Sequence, residues 1–463
     1  VNLPNYFLAD LPPEAVLSPA MVTEACQTLK RNRAQYLAQR STTSLVKVLC
    51  DVAEAWLKPD NTFRRLALES GSGKTGFSRA TLQKGLDHFF HQFTPENFHA
   101  LLAQELGDAR RLGRFVACGG DAPVAGVSGF GSNRAALAVG PELLVHIAAG
   151  NLPNPALMSM VLGLLTRSAQ FVKCAHAAAF LPRLFAHSIY DADAKLGTCL
   201  EIAEWRGGNA GLEAVLFAEA DCVTATGSDE TLAAIRLCLP VKTRFLGYGH
   251  RVSFGFVAGA VLHGSHTRQI VSRTTDDVVA WNQLGCLSPH VVYVQTGGEV
   301  SPEKFAELLA DELERREQTE PRGELPAEHA AAIASRRGIY EVRAAHSPET
   351  TQHWCSRNST AWTVVYEADA RFQLSCLNRF IYVKGVRDLT EALQSAETVR
   401  GQVSTVGLGV PEHKLEELAT QLARWGATRV CPLGRMQNPP LTWRHDGRPA
   451  LGDLVTWTDW EMG

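Results

Sequence analysis

Cys286 stands in the run Gly285-Cys286-Leu287-Ser288-Pro289-His290, just before the apolar stretch Val291-Val292-Tyr293-Val294. Glycine has no Cβ, so backbone beside it can approach a ligand closely. A cysteine next to such a turn can aim its sulfur into a cleft, where a thiolate nucleophile works. The competing reading is a small buried hydrophobe, the commonest fate of a free cysteine. His250 and His290 are the candidate partners. Either could lower the thiol pKa or protonate a leaving group. The chain holds 15 histidines, and a lone histidine is usually structural, so residue type does not choose between the two. Lys173 closes the apolar run Phe171-Val172-Lys173-Cys174, a strand end of the kind at which parallel sheets bind nucleotides. No His, Cys and carboxylate cluster has metal-ligand spacing, and thiolate chemistry needs no metal.

One motif is a decoy. Ser70-Gly71-Ser72-Gly73-Lys74-Thr75 looks like the end of a phosphate-binding P-loop. The full pattern needs a glycine five residues before Gly73, where Leu68 stands, and a preceding strand, where the pattern is helical. An exposed glycine-rich turn is expected instead.

Elements must position these groups. The 463 residues are 45% hydrophobic and 20% charged, enough for two or more packed domains. The net charge of −3 excludes a basic field for nucleic acid. Eleven cysteines without CxxC pairs argue for reduced thiols, not a disulfide framework. Val1 to Asp10 lacks the basic and apolar regions of a signal peptide, so a cytoplasmic location is expected. No apolar run is long enough for a membrane span.

Residues 1–110 read as amphipathic helices, with Leu45, Val46, Val48, Leu49, Val52, Ala53 and Trp56 at helical spacing. Glycines are dense over 114–140, which reads as a hairpin or extended excursion. Alternation follows: strands at Leu143–Ile147, Phe171–Cys174, Ala214–Phe217 and Cys222–Ala225, with helices at Pro155–Leu165, from Cys174 to about Arg206, and at Asp229–Leu237. Apolar strands alternating with helices predict an α/β fold, its parallel sheet covered on both faces. Ser301-Pro302 opens a helix. Glu317 to Pro326 reads as a surface loop, Thr360–Tyr366 and Phe380–Val383 as strands, and Pro411–Trp425 as a helix stopped by Gly426.

Four segments in order resemble the aldehyde dehydrogenase superfamily over about residues 110 to 463, and more closely its acyl-CoA reductase family, that of the fatty acid reductase of bacterial bioluminescence. They are His146 to Pro155, Phe171 to His176, Thr226-Gly227-Ser228, and the Cys286 loop. Cys431-Pro432-Leu433-Gly434-Arg435-Met436-Gln437-Asn438-Pro439-Pro440 resembles the same family. The resemblance implies that Cys286 is the nucleophile and that Asn151 donates its amide to the oxyanion. A preorganised donor of that kind is worth roughly 3 kcal/mol. Asparagine also favours helix N-caps, and the two roles are compatible. The resemblance further implies that Lys173 contacts the adenine ribose and that Thr226, Gly227 and Ser228 lie near the cofactor phosphates and nicotinamide. The second glycine expected five residues on is Leu232. His176 stands where NAD-preferring relatives often place a glutamate. An imidazole does not repel a 2′-phosphate, which points to NADPH. Aldehyde oxidisers carry a water-activating glutamate soon after the third segment, and Lys242 to Phe254 contains no Asp or Glu. A second expected glutamate aligns with Ser375.

These readings predict an aldehyde dehydrogenase-like pair of α/β domains with the active-site cleft between them. The expected divisions are a helical part at 1–110 packed on the cofactor domain, an NADP(H)-binding domain at 111–250 with an oligomerisation hairpin at 114–140, a catalytic domain at 251–440 and a tail at 441–463. The expected activity is NADPH-dependent reduction of an acyl-CoA or acyl-carrier thioester to the aldehyde through a Cys286 thioester. The alternatives are an oxidative aldehyde dehydrogenase and a cofactor-free acyl-transfer subunit. The resemblance makes an acyl-protein synthetase or acyltransferase the expected partner and a homo-oligomer the expected assembly.

Overall fold

Leu143–Ile147, Ala169–Cys174 and Cys222–Thr226 are short runs buried on both faces, and they pair with Leu200–Glu204 and the half-buried edge strand Arg244–Tyr248 as a parallel sheet. The computed structural model describes residues 3–12, 14–117 and 134–461. The chain divides into two compact units. The first comprises Val1–Ala67, Phe89–Gly249 and Pro440–Gly463, and the second Leu68–His88 and His250–Pro439. Residues 68–88 of the helical N-terminal part therefore fold with the second unit.

In the first unit the strand order is Leu200–Glu204, Ala169–Cys174, Leu143–Ile147, Cys222–Thr226, Arg244–Tyr248. The chain builds outward from Leu143–Ile147 in one direction and then in the other. The topological switch point lies between Leu143–Ile147 and Cys222–Thr226, where such sheets bind ligands at their carboxyl ends. His146 ties the switch strand to both neighbours: Nδ1 meets Thr224 Oγ1 at 2.6 Å and Nε2 meets Gln170 Oε1 at 3.0 Å. Burial pushes its pKa down to about 4, so it is a neutral strut. One face is covered through Val22, Cys26 and Leu29 of the Pro19–Asn32 helix and Leu212, Leu216 and Phe217 of Ala210–Glu219. Helices Asn154–Leu165, Phe180–Ala192 and Thr42–Leu57 pack together, and Trp56 Nε1 donates to Ser188 Oγ at 2.8 Å. Val116–Ala117, Arg134–Val139 and Thr456–Glu461 form a separate antiparallel sheet. The arms of the 114–140 excursion thus pair, and its centre, 118–133, lies outside the described residues.

The second unit holds seven strands in the order Thr351–Cys355, Thr363–Glu367, Phe380–Val386, Pro289–Gln295, Val252–Val257, Val403–Gly409, Arg429–Pro432. All pairs are parallel except the first. Helices Gly264–Val279 and Pro302–Thr319 cover one face. Ala327–His346, Leu389–Ser395 and Leu415–Trp425 contribute to the core on the other. The strand that follows the Cys286 loop is the central one. Among the described residues no helix is long and apolar enough to cross a membrane.

Several local expectations are corrected. Ala214–Phe217 is not a strand but part of the Ala210–Glu219 helix, whose cap, Asn209 Oδ1, accepts from Leu212 N at 3.3 Å. The helical stretch ending near Arg206 is interrupted at Asp193, which caps a short helix, and the next segment is the strand Leu200–Glu204. Gly71 to Thr75 is the last part of the Thr62–Thr75 helix, not a turn, and Gly76 follows it at φ +75°. Tertiary packing there overrides glycine's poor helix propensity. The Pro302 helix runs on to Thr319, and Arg322 in the supposed surface loop is buried against Thr360. The helix Ala327–His346 had no counterpart in the sequence reading.

Candidate functional site

The Cys286 loop begins with three successive left-handed residues, Trp281 (φ 49°), Asn282 (φ 53°) and Gln283 (φ 63°). Such backbone is costly for side chains with a Cβ and persists only when its surroundings hold it. Here they do. Trp281 is buried edge-on to Phe77, with ring centroids 5.2 Å apart. Asn282 Nδ2 donates to Arg322 O at 2.8 Å, and its Oδ1 accepts from Arg379 Nη2 at 3.2 Å. Gln283 Nε2 donates to Pro289 O at 2.7 Å and Phe380 O at 2.9 Å.

The turn itself is closed by Ser288 N donating to Gly285 O at 2.9 Å. Ser253 Oγ donates to Cys286 O at 2.7 Å. Ser288 is fully buried, and Gln437 Nε2 donates to its Oγ. Gln437 is placed in turn by Asp277, whose carboxylate accepts from Gly434 N (2.6 Å) and Met436 N (2.9 Å). Burial pushes the Asp277 pKa up to about 7. The two segments that most resemble one family are therefore in contact. Within this clamp the Cys286 side chain remains partly exposed. Burial pushes Cys26, Cys174, Cys199 and Cys431 up to about 12, which keeps them as inert thiols.

His290 is buried, and its Nδ1 accepts from Ser375 N at 3.1 Å. That contact leaves the neutral ring with its proton on Nε2. Burial first, and His250 second, push its pKa down to about 4. It is a poor proton donor or acceptor at neutral pH, and it positions the loop instead. His250 is exposed and lies in the same unit. Ser375, where a glutamate was expected, binds His290 and also meets Gln283 Nε2 at 3.4 Å.

The first unit gathers Asn151, Lys173, His176 and Thr226-Gly227-Ser228 at the carboxyl ends of its parallel strands. Asn151 is exposed in the loop after Leu143–Ile147 and precedes, without capping, the helix Asn154–Leu165. Lys173 is only 5% exposed, its Nζ lies 5.7 Å from the Trp205 ring centroid, and burial lowers its pKa. A buried ammonium at a strand end suits a ligand hydroxyl or phosphate oxygen. His176 Nδ1 lies 3.4 Å from Glu204 Oε1. The Glu204 carboxylate also accepts from Ala177 N (2.7 Å) and Ala179 N (3.2 Å). Ser228 caps the helix Asp229–Cys238, but Asp229 and Glu230 fill its first turn. Two carboxylates at that helix start oppose a phosphate there.

The family match covers residues 37–457 and is described as Acyl-CoA reductase (LuxC). The chain belongs to the acyl-CoA reductase (LuxC) family. Relatives include the long-chain acyl-protein thioester reductase 2 of Photobacterium leiognathi, 22% identical over 320 residues, covering 68% of this chain and 63% of that protein. The long-chain acyl-protein thioester reductase of Aliivibrio fischeri is 23% identical over 325 residues, with 68% and 63% covered. The match thus spans less than two thirds of those relatives' length. A NAD-dependent benzaldehyde dehydrogenase from Corynebacterium glutamicum superposes with a TM-score of 0.69 at 13% identity, covering 96% of this chain and 91% of that one. The fold is that of the aldehyde dehydrogenases.

For a LuxC-family chain, sequence reasoning missed Gln283, Ser253, Glu204 and Asp277, and left Gln437 without a role. The signal for Asp277 was weak but present: an acid inside the Ile270, Val271, Val278 face of its helix has to be bonded if buried. Nothing local marks Glu204, because its partners come from a different strand end.

Proposed function

We propose that this protein reduces an acyl thioester, carried on CoA or a carrier protein, to the aldehyde. The observation that carries the reading is a partly exposed Cys286 on a loop held through Trp281, Asn282, Gln283 and Ser288, in a chain of this family. Cys286 as thiolate attacks the acyl carbonyl, and Asn151 donates its amide to the oxyanion. The carrier thiolate leaves, taking a proton, and the acyl group remains on Sγ as a thioester. His250 is the exposed candidate for the proton, since His290 is held neutral. The nicotinamide cofactor, when bound, supplies the hydride that brings the acyl group to the aldehyde level. The Sγ–carbon bond then breaks and releases aldehyde and thiolate.

Lys173 and His176 are the proposed adenine-ribose contacts. Thr226, Gly227 and Ser228 are assigned to the nicotinamide side, since acids stand where phosphates were expected. NADPH is the proposed cofactor because His176 carries no negative charge. Glu204 supports a second reading. A carboxylate 3.4 Å from His176 would bond ribose hydroxyls and repel a 2′-phosphate, favouring NADH.

The LuxC-family relatives are named for acyl-protein thioesters, so an acyl-transferring partner and a homo-oligomeric, cytoplasmic enzyme are also proposed. The test is mass spectrometry after incubation with a panel of acyl-CoAs without cofactor. One acyl group should appear, on Cys286, and Cys286→Ala should abolish both the label and aldehyde formation. Label on another cysteine, or aldehyde from the alanine variant, overturns the proposal.

A further inference from the structure

The first unit contains a cavity of about 380 Å³, within the size range of small-ligand sites. Arg40, Arg110, Arg114, Arg167 and His99 line it, and no Asp or Glu does. Two of the arginines are answered from outside the lining, Arg40 by Asp193 and Arg110 by Asp108. The other two are not. Arg114 is exposed, and its guanidinium has no partner among the described residues.

Arg167 is the informative one. It is only 7% exposed. Its Nε donates to Arg40 O at 2.6 Å and its Nη2 to Thr42 Oγ1 at 3.1 Å. Its Nη1 has no partner among the described residues, and no carboxylate offsets the burial that lowers its pKa. A guanidinium with so little exposed surface is stabilised when an anion answers the nitrogen it still presents to the cavity.

The 16-residue helix Thr42–Leu57 starts in the same cavity. Ser41 Oγ caps it by accepting from Ser44 N, and its first turn contains no acid. The amides of Thr42 and Thr43, both lining residues, have no intrahelical acceptor. Free amides, a positive dipole end and two unanswered arginines therefore converge on one space.

We propose that this cavity binds a phosphate or diphosphate group of a small molecule, with Arg167 and Arg114 as its fork and the Thr42–Thr43 amides as its floor. It is separate from the strand ends that carry Lys173. Arg167 precedes the strand Ala169–Cys174 and Lys173 lies near its other end, six residues on, or roughly 20 Å along extended chain. The phosphate could belong to the nucleotide end of CoA or to a free phosphorylated ligand that acts as an effector.

The test is calorimetric titration of the full chain with inorganic pyrophosphate at fixed ionic strength. Wild type should bind, and Arg114→Gln should weaken binding about tenfold or more, the loss expected for one charge-assisted bond. Arg114 has no structural partner, so its variant keeps the fold, whereas Arg167→Gln also removes two internal bonds. Arg268→Gln, an exposed arginine of the second unit, should leave the affinity unchanged. Displacement of pyrophosphate by CoA but not by dephospho-CoA assigns the site to the CoA 3′-phosphate, displacement by both assigns it to the CoA diphosphate, and no displacement by CoA assigns it to a free ligand. Absence of pyrophosphate binding at millimolar concentration overturns the proposal. So does an equal change in Arg114→Gln and Arg268→Gln, or displacement by NAD(P)H.

Discussion

Acidification should weaken the anchorage of the nucleophile loop through His290. Its folded pKa is about 4 against an ordinary 6.5, because burial and His250 disfavour the imidazolium. A gap of about 2.5 at 1.36 kcal/mol each is worth roughly 3.4 kcal/mol in full. The folded value is depressed, so the unfolded chain takes up the proton first. The contribution is complete above the unfolded pKa, and it is lost as pH falls from 6.5 toward 4. Between pH 7 and pH 5 the loss works out at about 1.8 kcal/mol, or roughly a twentyfold rise in opening. Asp277 in the same unit acts oppositely. Its pKa is raised to about 7, so it costs stability as pH rises. The readout is therefore the difference between wild type and His290→Asn, not the wild-type curve. Asparagine can still accept from Ser375 N–H but does not titrate. Hydrogen exchange over 286–295 and 372–380, corrected for intrinsic rates, should open about twentyfold more on going to pH 5 in wild type than in the variant. Identical pH responses in the two proteins, or a His290 resonance titrating near 6.5, would refute the reasoning.

Four further outcomes follow from the geometry. A Cβ on Gly85 would lie 2.1 Å from Trp281 Cζ2, so Gly85→Ala should cost about 1–3 kcal/mol and change the alkylation rate of Cys286; an unchanged rate disconnects Trp281 from the loop. Gln437→Leu takes the amide donor from the buried Ser288 hydroxyl and should cost about 1–3 kcal/mol in urea unfolding; an unchanged unfolding midpoint would show that the contact itself is not what matters. Glu204→Gln should raise kcat/KM for NADPH relative to NADH by roughly tenfold, and His176→Glu should lower it; no change in either places the 2′-phosphate elsewhere. With no carboxylate over 242–254, and general-base help worth about 10² to 10⁴ in rate, aldehyde plus NADP⁺ should yield acyl-CoA when CoA is present and little free acid without it. Rapid acid formation without CoA would make His250 the first suspect as a water-activating base.

Much of the architecture was legible in residue order. The runs at 143–147, 171–174 and 222–225 are apolar on both faces, and only a covered parallel strand or a buried helix accepts that. Where a run was as short as Ala214–Phe217, periodicity could not separate the two, and the Asn209 cap was the signal that would have. The Cys286 loop stood out because its chemistry is local: glycine, cysteine and a turn within six residues. Lys173 stood out at the end of a readable strand, whereas Asn151 and His176 were singled out by the resemblance to the family.

What the sequence left open is what depends on distant residues meeting. Gln437 reaches Ser288 across 149 positions, and Ser375 reaches His290 across 85. These contacts turn a suggestive loop into a clamped one, and burial together with His250 lowers the His290 pKa. Glu204 comes to His176 from the neighbouring strand, so a carboxylate absent from the local motif is present at the site. Only packing buries Arg167 beside a helix start without an acid. Residue types and short-range spacing determine which chemistry is available and which elements form. Burial and long-range partners set the protonation state and charge balance of each group, and those exist only once the chain is folded.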